Sequence, residues 1–259
     1  MADPLADLAR MEGVPSAVQA ARDAVDAVLR DRGLRRFDDE TRARARWASA
    51  VASADLEELS APGPGGEVGA DEAADGRADG RADEQADERR EQRRAAVLRL
   101  YAELPELAGA VRHRPPQVLA RAHALLGRGS LDDDALGRLR AGVDRLRFDG
   151  LTTLLTSTTV APVPVLAAVA HAEVATLRPF GTGDGVLARA LERMVLVDGG
   201  VDPPSMIVTE AGHLRAGADY ARLLAGYATG RADAVRAWVL HCVAAIVHGA
   251  EVSPVARRR

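Results

Sequence analysis

The chain contains no lysine and no asparagine, and all 34 of its basic residues are arginine. We read that bias as the mark of GC-rich coding. Against 38 acidic residues it leaves a formal net charge of −4 and an isoelectric point near 5.9. A field of that sign does not attract a polyanion, so nucleic acid is excluded as a partner. Aromatic residues are 3% of the chain, although 47% is hydrophobic. The core must then be mostly Ala, Leu and Val, which suits packed helices better than a β-sandwich. There is one cysteine, Cys242, inside an apolar helical run. No disulfide can form within the chain, which fits a reducing cytosol. A buried structural thiol is favoured over a catalytic one. No run of about 18 apolar residues marks a membrane span. The first twelve residues, MADPLADLARME, lack the basic-then-apolar order of a signal peptide. The expected localisation is cytoplasmic.

What is present reads as helix after helix. Residues 15–31 carry a stripe of Val18, Ala21, Val25, Val28 and Leu29, with Pro15 at the start and Gly33 as the stop. A second helix spans 39–59, with Trp47, Val51 and Leu56 among its apolar positions. Residues 60–92 are Ala, Gly, Asp, Glu and Arg of low complexity, and are predicted to be a disordered linker or surface loop. Helical pattern resumes near Arg93, with a break or bend at Pro105. A further helix covers 117–126, and Asp132–Asp134 should cap a short helical segment. Residues 137–149 fit an irregular segment or short hairpin, and 151–157 one more short helix. Pro162 and Pro164 open the helix that leads to Leu177. After Gly199-Gly200 comes a connection, with a strand pattern around 205–208 at most. Two helices close the chain, 216–227 and 232–248. The predicted class is mainly α, with at most a short β-hairpin. The expected layout is an N-terminal helical region at 1–59, a linker at 60–92, a core domain at 93–250 and a basic tail at 251–259.

The stretch that organises this pattern is Gly181-Thr182-Gly183-Asp184-Gly185, followed at once by the helical run from Leu187. Three glycines in five residues let the backbone turn its N–H groups inward. A helix starting directly behind adds orphan N–H groups and the positive end of its dipole. That is the anatomy of an anion or phosphate cradle. A plain helix–loop–helix corner reads equally well from these residues alone.

With its flanks, the stretch resembles the Fic (Fido) proteins, whose motif is H-P-F-x-[DE]-G-N-G-R-x-x-R. Here the corresponding residues run Arg178-Pro179-Phe180-Gly181-Thr182-Gly183-Asp184-Gly185-Val186-Leu187-Ala188-Arg189. The upstream helix with His171 and the downstream helices with Tyr220, Tyr227 and Trp238 agree with the family, and the resemblance covers about residues 93–250. It implies a Fic-like helical bundle around a helix–Gly-rich loop–helix core. It also implies transfer of AMP or another phosphate-containing group from a nucleotide to a hydroxyl. In that chemistry the motif His is the base, the acidic residue holds Mg²⁺, and the Asn and two Arg fix the phosphates.

Carried over position by position, the motif is depleted. Arg178 stands where the base should be and cannot take a proton near neutral pH. Thr182 replaces the Mg²⁺ ligand, Asp184 puts a negative charge where phosphate would lie, and Val186 removes the first arginine. Pro179, Phe180, Gly183, Gly185 and Arg189 survive. The resemblance therefore implies ATP or another nucleotide, or a simple anion, held by Gly181, Thr182, Gly183, Asp184, Gly185 and Arg189, with little support for Mg²⁺ and no metal ligand set. Arg178 either pairs with Asp184 or joins Arg189 to hold an anion.

His171 and Asp184 are substitutes for the missing base. His171 lies seven residues before Arg178, roughly 10 Å along a continuous helix, and a packed core histidine is the favoured reading. His241 and His248 flank Cys242 without zinc-site spacing, and His113 and His123 stand isolated. Arg138, Arg140, Arg145 and Arg147 occupy the region of the family's target-docking flap, where a solvated basic face is favoured. The family often carries an inhibitory helix, S/T-x-x-x-E-G/N, whose Glu pairs with the second motif Arg. The chain offers Ser49 to Ser53-Ala54, without Glu, or Ser53 to Glu57-Glu58, and an ordinary helix is favoured over both. In the first register the brake is gone along with the catalytic set.

The preferred expectation is a Fic-like pseudoenzyme acting as a binding or regulatory protein, its partner another protein. The alternatives are a diverged Fic-fold transferase and a purely structural helical adaptor. A homo-oligomer stays open.

Overall fold

Val14, Val18, Ala21, Val25 and Val28 are buried along one face of a helix, repeating at the three- and four-residue steps that put side chains in line. That helix is α2, Val14–Leu29, preceded by the short α1, Pro4–Arg10. α1 starts on Asp3, whose carboxylate accepts the Leu5 N–H at 3.0 Å. The computed structural model describes residues 3–30, 38–60 and 76–256. α3 spans Asp39–Ser60, α4 Gly76–Ala108, α5 Pro115–Gly127 and α6 Arg145–Thr156. Then come α7, Val163–Leu177, and α8, Asp184–Asp198. α9, Thr209–Ala216, α10, Ala218–Tyr227, and α11, Ala232–Glu251, complete the chain.

α7 is the centre of the bundle. Seven consecutive residues, Pro164 to Ala170, are buried, so this helix has no solvent face over that stretch. Such all-round apolarity belongs to an interior helix. α8 folds back against α7 across the glycine loop, and α11 packs on α7. Trp238 of α11 donates its indole N–H to the Ala168 carbonyl of α7 at 2.7 Å, so its polar edge is satisfied inside the core. α9 and α11 approach closely through small residues. A Cβ at Gly212 would lie 2.4 Å from the Ala245 Cα, and one at Gly249 2.7 Å from the Val208 carbonyl carbon. Any larger side chain would push the two helices apart.

The mainly α expectation holds: no strand forms among the described residues, and one isolated bridge joins Arg128 to Leu131. Several local expectations are corrected. The predicted linker of 60–92 is helix from Gly76 onward, as the first half of α4; residues 61–75 lie outside the described residues. Ala, Arg, Glu and Gln are strong helix formers, and α3 gives this half a neighbour at its end, where Arg90 lies 3.5 Å from Glu58. α4 also continues past Pro105 to Ala108. Its C-terminal half buries Val97, Leu100, Tyr101, Leu104 and Leu107, and that packing offsets the one backbone hydrogen bond a proline removes.

Residues 133–137 form turns rather than a helix. Nor is 137–149 a hairpin. It is a loop up to Asp144, whose carboxylate then caps α6 by accepting the Arg147 N–H at 3.0 Å. The strand pattern at 205–208 is irregular loop, with Ser205 in the left-handed region at φ 57°, and the expected connection contains the start of α9. Trp47, expected on an apolar face, is 59% exposed. Gly33, and the tail after Ala256, lie outside the described residues.

Candidate functional site

The loop between α7 and α8 is held by its own carboxylate. α7 ends with Arg178 in the left-handed region, φ 50°, its N–H on the Val174 carbonyl at 2.9 Å. Gly181 (φ 84°) and Gly183 (φ 65°) follow in conformations that glycine takes without strain. α8 begins at Asp184, whose side chain reaches back over the loop. Its Oδ1 accepts the Phe180 N–H at 3.0 Å and its Oδ2 the Gly181 N–H at 2.7 Å. Two of the donors an incoming anion would use are thus engaged by a carboxylate of the protein. Asp184 is 3% exposed. Burial pushes its carboxyl up to about 6, against the pull of the two loop N–H groups and of the Arg178 and Arg140 charges.

The last motif arginine is equally engaged. Arg189, on the inner face of α8, is 2% exposed. Its Nε donates to Ser53 Oγ at 2.8 Å and its Nη2 to the Ser53 carbonyl at 3.0 Å. The same Nη2 donates to Glu57 Oε2 at 2.9 Å, and Nη1 to the Tyr220 hydroxyl at 3.4 Å. Glu57 Oε2 also lies 2.6 Å from where a Cβ on Gly185 would sit. Only a residue without a side chain lets that carboxylate come so close to the first turn of α8. The register on α3 is therefore Ser53 to Glu57. Ser49 faces a different partner, accepting from Arg193 Nη2 at 2.6 Å.

At the remaining motif positions the side chains leave the cradle or pack beneath it. Arg178 is exposed, and its Nη2 reaches only the Gly181 carbonyl, at 3.4 Å. Among the described residues no ion pair joins it to Asp184, and it does not meet Arg189. Val186 is buried in the core. Thr182 is exposed, with Oγ1 3.2 Å from His123 Nε2. His123 Nδ1 accepts the Gly137 N–H at 3.0 Å, so the proton sits on Nε2 and is donated to Thr182. The ring also stacks on Phe180, centroids 4.3 Å apart, and burial lowers its basicity.

His123, isolated in sequence, thus braces the loop from α5, and nothing at its own position signals that. Arg140, read as part of a solvated basic face, does the same from the other side. It donates from Nε to the Arg178 carbonyl at 2.7 Å, from Nη2 to that of Leu177 at 3.3 Å and from its backbone to that of Pro179 at 2.9 Å. These carbonyls belong to the last residue of α7, its cap and the start of the loop, where no helical N–H follows to satisfy them. Arg147 likewise turns inward, 2.7 Å from Glu173 and 2.6 Å from Thr176.

His171 is fully buried and turned into the bundle. Its Nδ1 is 2.6 Å from Glu192 Oε2 and its Nε2 2.8 Å from the Tyr220 hydroxyl. Burial holds it neutral down to about pH 4 despite the neighbouring carboxylate. Arg193 forms a second buried centre with Glu210 at 2.6 Å, Ser205 at 2.9 Å, Ser49 and the Ile207 carbonyl. Neither Glu192 nor Arg193 was singled out from sequence. The available signal was that Arg189, Glu192 and Arg193 share one face of an otherwise apolar helix.

No family model matches the chain, and no curated protein does. Among solved structures it is similar to the crystal structure of a Fic family protein from Desulfovibrio desulfuricans G20. The match covers 91% of this chain and 73% of that one, with a TM-score of 0.64 and 20% identity. The fold is the Fic fold. At that identity the likeness speaks for the fold alone. It extends beyond residues 93–250 into the N-terminal helices, which carry Ser53 and Glu57.

The residues present do not fit a magnesium nucleotide as the Fic motif holds one. The loop has a hydroxyl at Thr182 where a carboxylate would bind the cation. The Phe180 and Gly181 N–H groups and Arg189 are bonded to Asp184 and Glu57, which would repel phosphate from the same positions.

Proposed function

We propose that this Fic-fold protein acts by binding and not by adenylyl transfer. The observation that carries the reading is the self-occupied cradle, with Asp184 on the loop N–H groups and Glu57 on Arg189. A transferase needs those donors free for phosphate oxygens and needs a base beside the attacking hydroxyl. Arg178 supplies no base, and His171 is enclosed between Glu192 and Tyr220. On this reading the rigid, capped loop is part of a scaffold that presents helical surfaces to a protein partner. Nucleotide or simple anion at Gly181–Gly185 and Arg189 is at most a weak ligand. Calorimetry with ATP, ADP and inorganic phosphate, with and without Mg²⁺, tests it. Weak or no heat, indifferent to Mg²⁺, is expected; tight Mg²⁺-dependent ATP binding rejects it.

One observation favours a second reading, a diverged transferase of AMP or another phosphate-containing group. The Ser53–Glu57 contact to Arg189 has the form of the family's inhibitory helix, and a brake implies something to restrain. Incubating wild type and Glu57→Gly with labelled nucleotides and a cell lysate separates the two. Label transfer that requires Glu57→Gly and is lost on Asp184→Ala favours the transferase.

A further inference from the structure

A second constellation lies inside the bundle, apart from the cradle and independent of the function proposed for it. His171 of α7, Glu192 of α8, His213 of α9 and Cys242 of α11 each bring one ligand-type atom to a common point, all within 4.8 Å of one another. All four side chains are buried. Glu192 Oε2 is 2.6 Å from His171 Nδ1 and 2.8 Å from His213 Nε2. Its other oxygen, Oε1, is buried with no hydrogen-bond partner. Orphaned carboxylate oxygens in a protein interior are costly, and one at such a place calls for a cation or a donor.

We propose that His171, Glu192, His213 and Cys242 form a structural zinc site. Two imidazoles, a carboxylate and a thiolate are ligand types that zinc accepts in a closed four-coordinate shell. A thiolate and a carboxylate neutralise the dication, so the assembled site carries no net charge, as a desolvated interior requires. The far nitrogen of each imidazole already has a partner that would fix the ligating tautomer. His171 Nε2 is 2.8 Å from the Tyr220 hydroxyl, and His213 Nδ1 is 3.0 Å from His241 Nε2. Trp238 packs edge-on to His171 and parallel to His213, giving the apolar wall that keeps water out. Bonds of about 2.0–2.3 Å place tetrahedral ligand atoms roughly 3.3–3.7 Å apart. The two short imidazole–carboxylate contacts therefore open by less than about 1 Å. The Cys242 thiol, held protonated by burial, gives up its proton on binding.

Spacing in the sequence hides this site. The four residues come from four helices, and no two stand at the short intervals that mark zinc fingers. The metal would cross-link α7, α8, α9 and α11. Through His171 and Tyr220 it would also steady Arg189, the arginine of the cradle.

The test is expression of the full chain in cobalt-supplemented medium, so that the interior loads as it folds, followed by metal analysis and absorption spectroscopy. One cobalt per chain is expected, with visible bands of tetrahedral strength and a near-ultraviolet thiolate-to-cobalt band. Cys242→Ser should lose the thiolate band, and His213→Gln should retain well under half of the metal, each with native helicity by circular dichroism. Zinc-loaded wild type should melt several degrees above chelator-stripped wild type, and Cys242→Ser should lose most of that gap. Folded wild type without bound metal overturns the proposal, as does a thiolate band that survives Cys242→Ser. Should a variant fail to fold, the wild-type metal content and thiolate band decide alone. Their absence would leave a hydrogen-bonded network that donates to Glu192 Oε2 only.

Discussion

Glu57 Oε2 lies 2.9 Å from Arg189 Nη2, an ion pair between α3 and α8 across 132 positions of chain. The Arg189 side chain is 1% exposed and that of Glu57 29%. Arg189 is therefore committed, while Glu57 remains reachable from solvent. A charge buried this fully keeps a partner at all times, because stranding it is far costlier than the pair is stabilising.

Removing that carboxylate should both weaken the fold and open the cradle. Glu57→Ala leaves Arg189 with Ser53 and Tyr220 alone. We expect a stability loss of about 1–3 kcal/mol by denaturant titration, below the full buried-pair penalty because Glu57 is partly solvated. Inorganic phosphate or pyrophosphate should bind the variant more tightly than wild type by calorimetry. Unchanged anion affinity would mean that Glu57 does not guard the site.

Arg193 should matter more for stability than any other α8 residue. It is 3% exposed and joins Glu210, Ser49 and Ser205, while Tyr101 donates to Glu210 at 2.9 Å. Arg193→Met strands the Glu210 carboxylate in the core, an expected cost of about 3–5 kcal/mol. Adding Glu210→Gln should restore a measurable part of it. A double variant no more stable than the single one rejects this account.

The Asp184 carboxyl gives a pH dependence of definite sign. Its pKa is raised from 3.8 to about 6 in the folded protein. The folded state then holds the proton more tightly than the unfolded one, so stability from this group falls as pH rises from about 4 to about 6. The charges that face it are Arg178 and Arg140. The stability of wild type relative to Asp184→Asn should improve, by on the order of 2–3 kcal/mol, as pH is lowered from 7 to 4. Using the difference cancels His171 and His241, whose lowered basicity acts in the opposite direction over this range. A flat or reversed difference would show the carboxyl to be unshifted or lowered.

Two glycines separate backbone strain from packing. Gly200 has φ +74° with nothing within 4 Å of a built Cβ; Gly183 has φ +65°, and its Cβ would lie 2.4 Å from Leu126 Cδ2. Gly200→Ala should cost about 1–2 kcal/mol for the left-handed conformation alone. Gly183→Ala should cost at least about 1 kcal/mol more, because Leu126 must be displaced from the core. Equal losses in chemical denaturation would show that Leu126 yields freely.

The amino-acid sequence by itself determined the elements that carry a period and a punctuation mark. The apolar stripe of α2, the predominantly apolar α7 and the glycine run before α8 follow from local sterics and hydrophobic patterning. So does the placement of the cradle, and with it the Fic resemblance. α1 and α9 escaped because eight residues or fewer give too few turns for a period to show. The first half of α4 escaped because its pattern lacks an apolar stripe and α3 supplies its partners by charge. Only the tertiary structure decided what faces Arg189, since an arginine in an apolar helix can meet any residue brought against it. The choice of Ser53–Glu57 over Ser49–Ser53, the bracing of the loop by His123 and Arg140, and the meeting of His171, Glu192, His213 and Cys242 are of the same kind. Each depends on how helices cross, and crossing is set by packing between segments far apart in the chain. A local pattern places a charged residue on a face of its own helix, but the partner comes from whichever helix the core packs against that face.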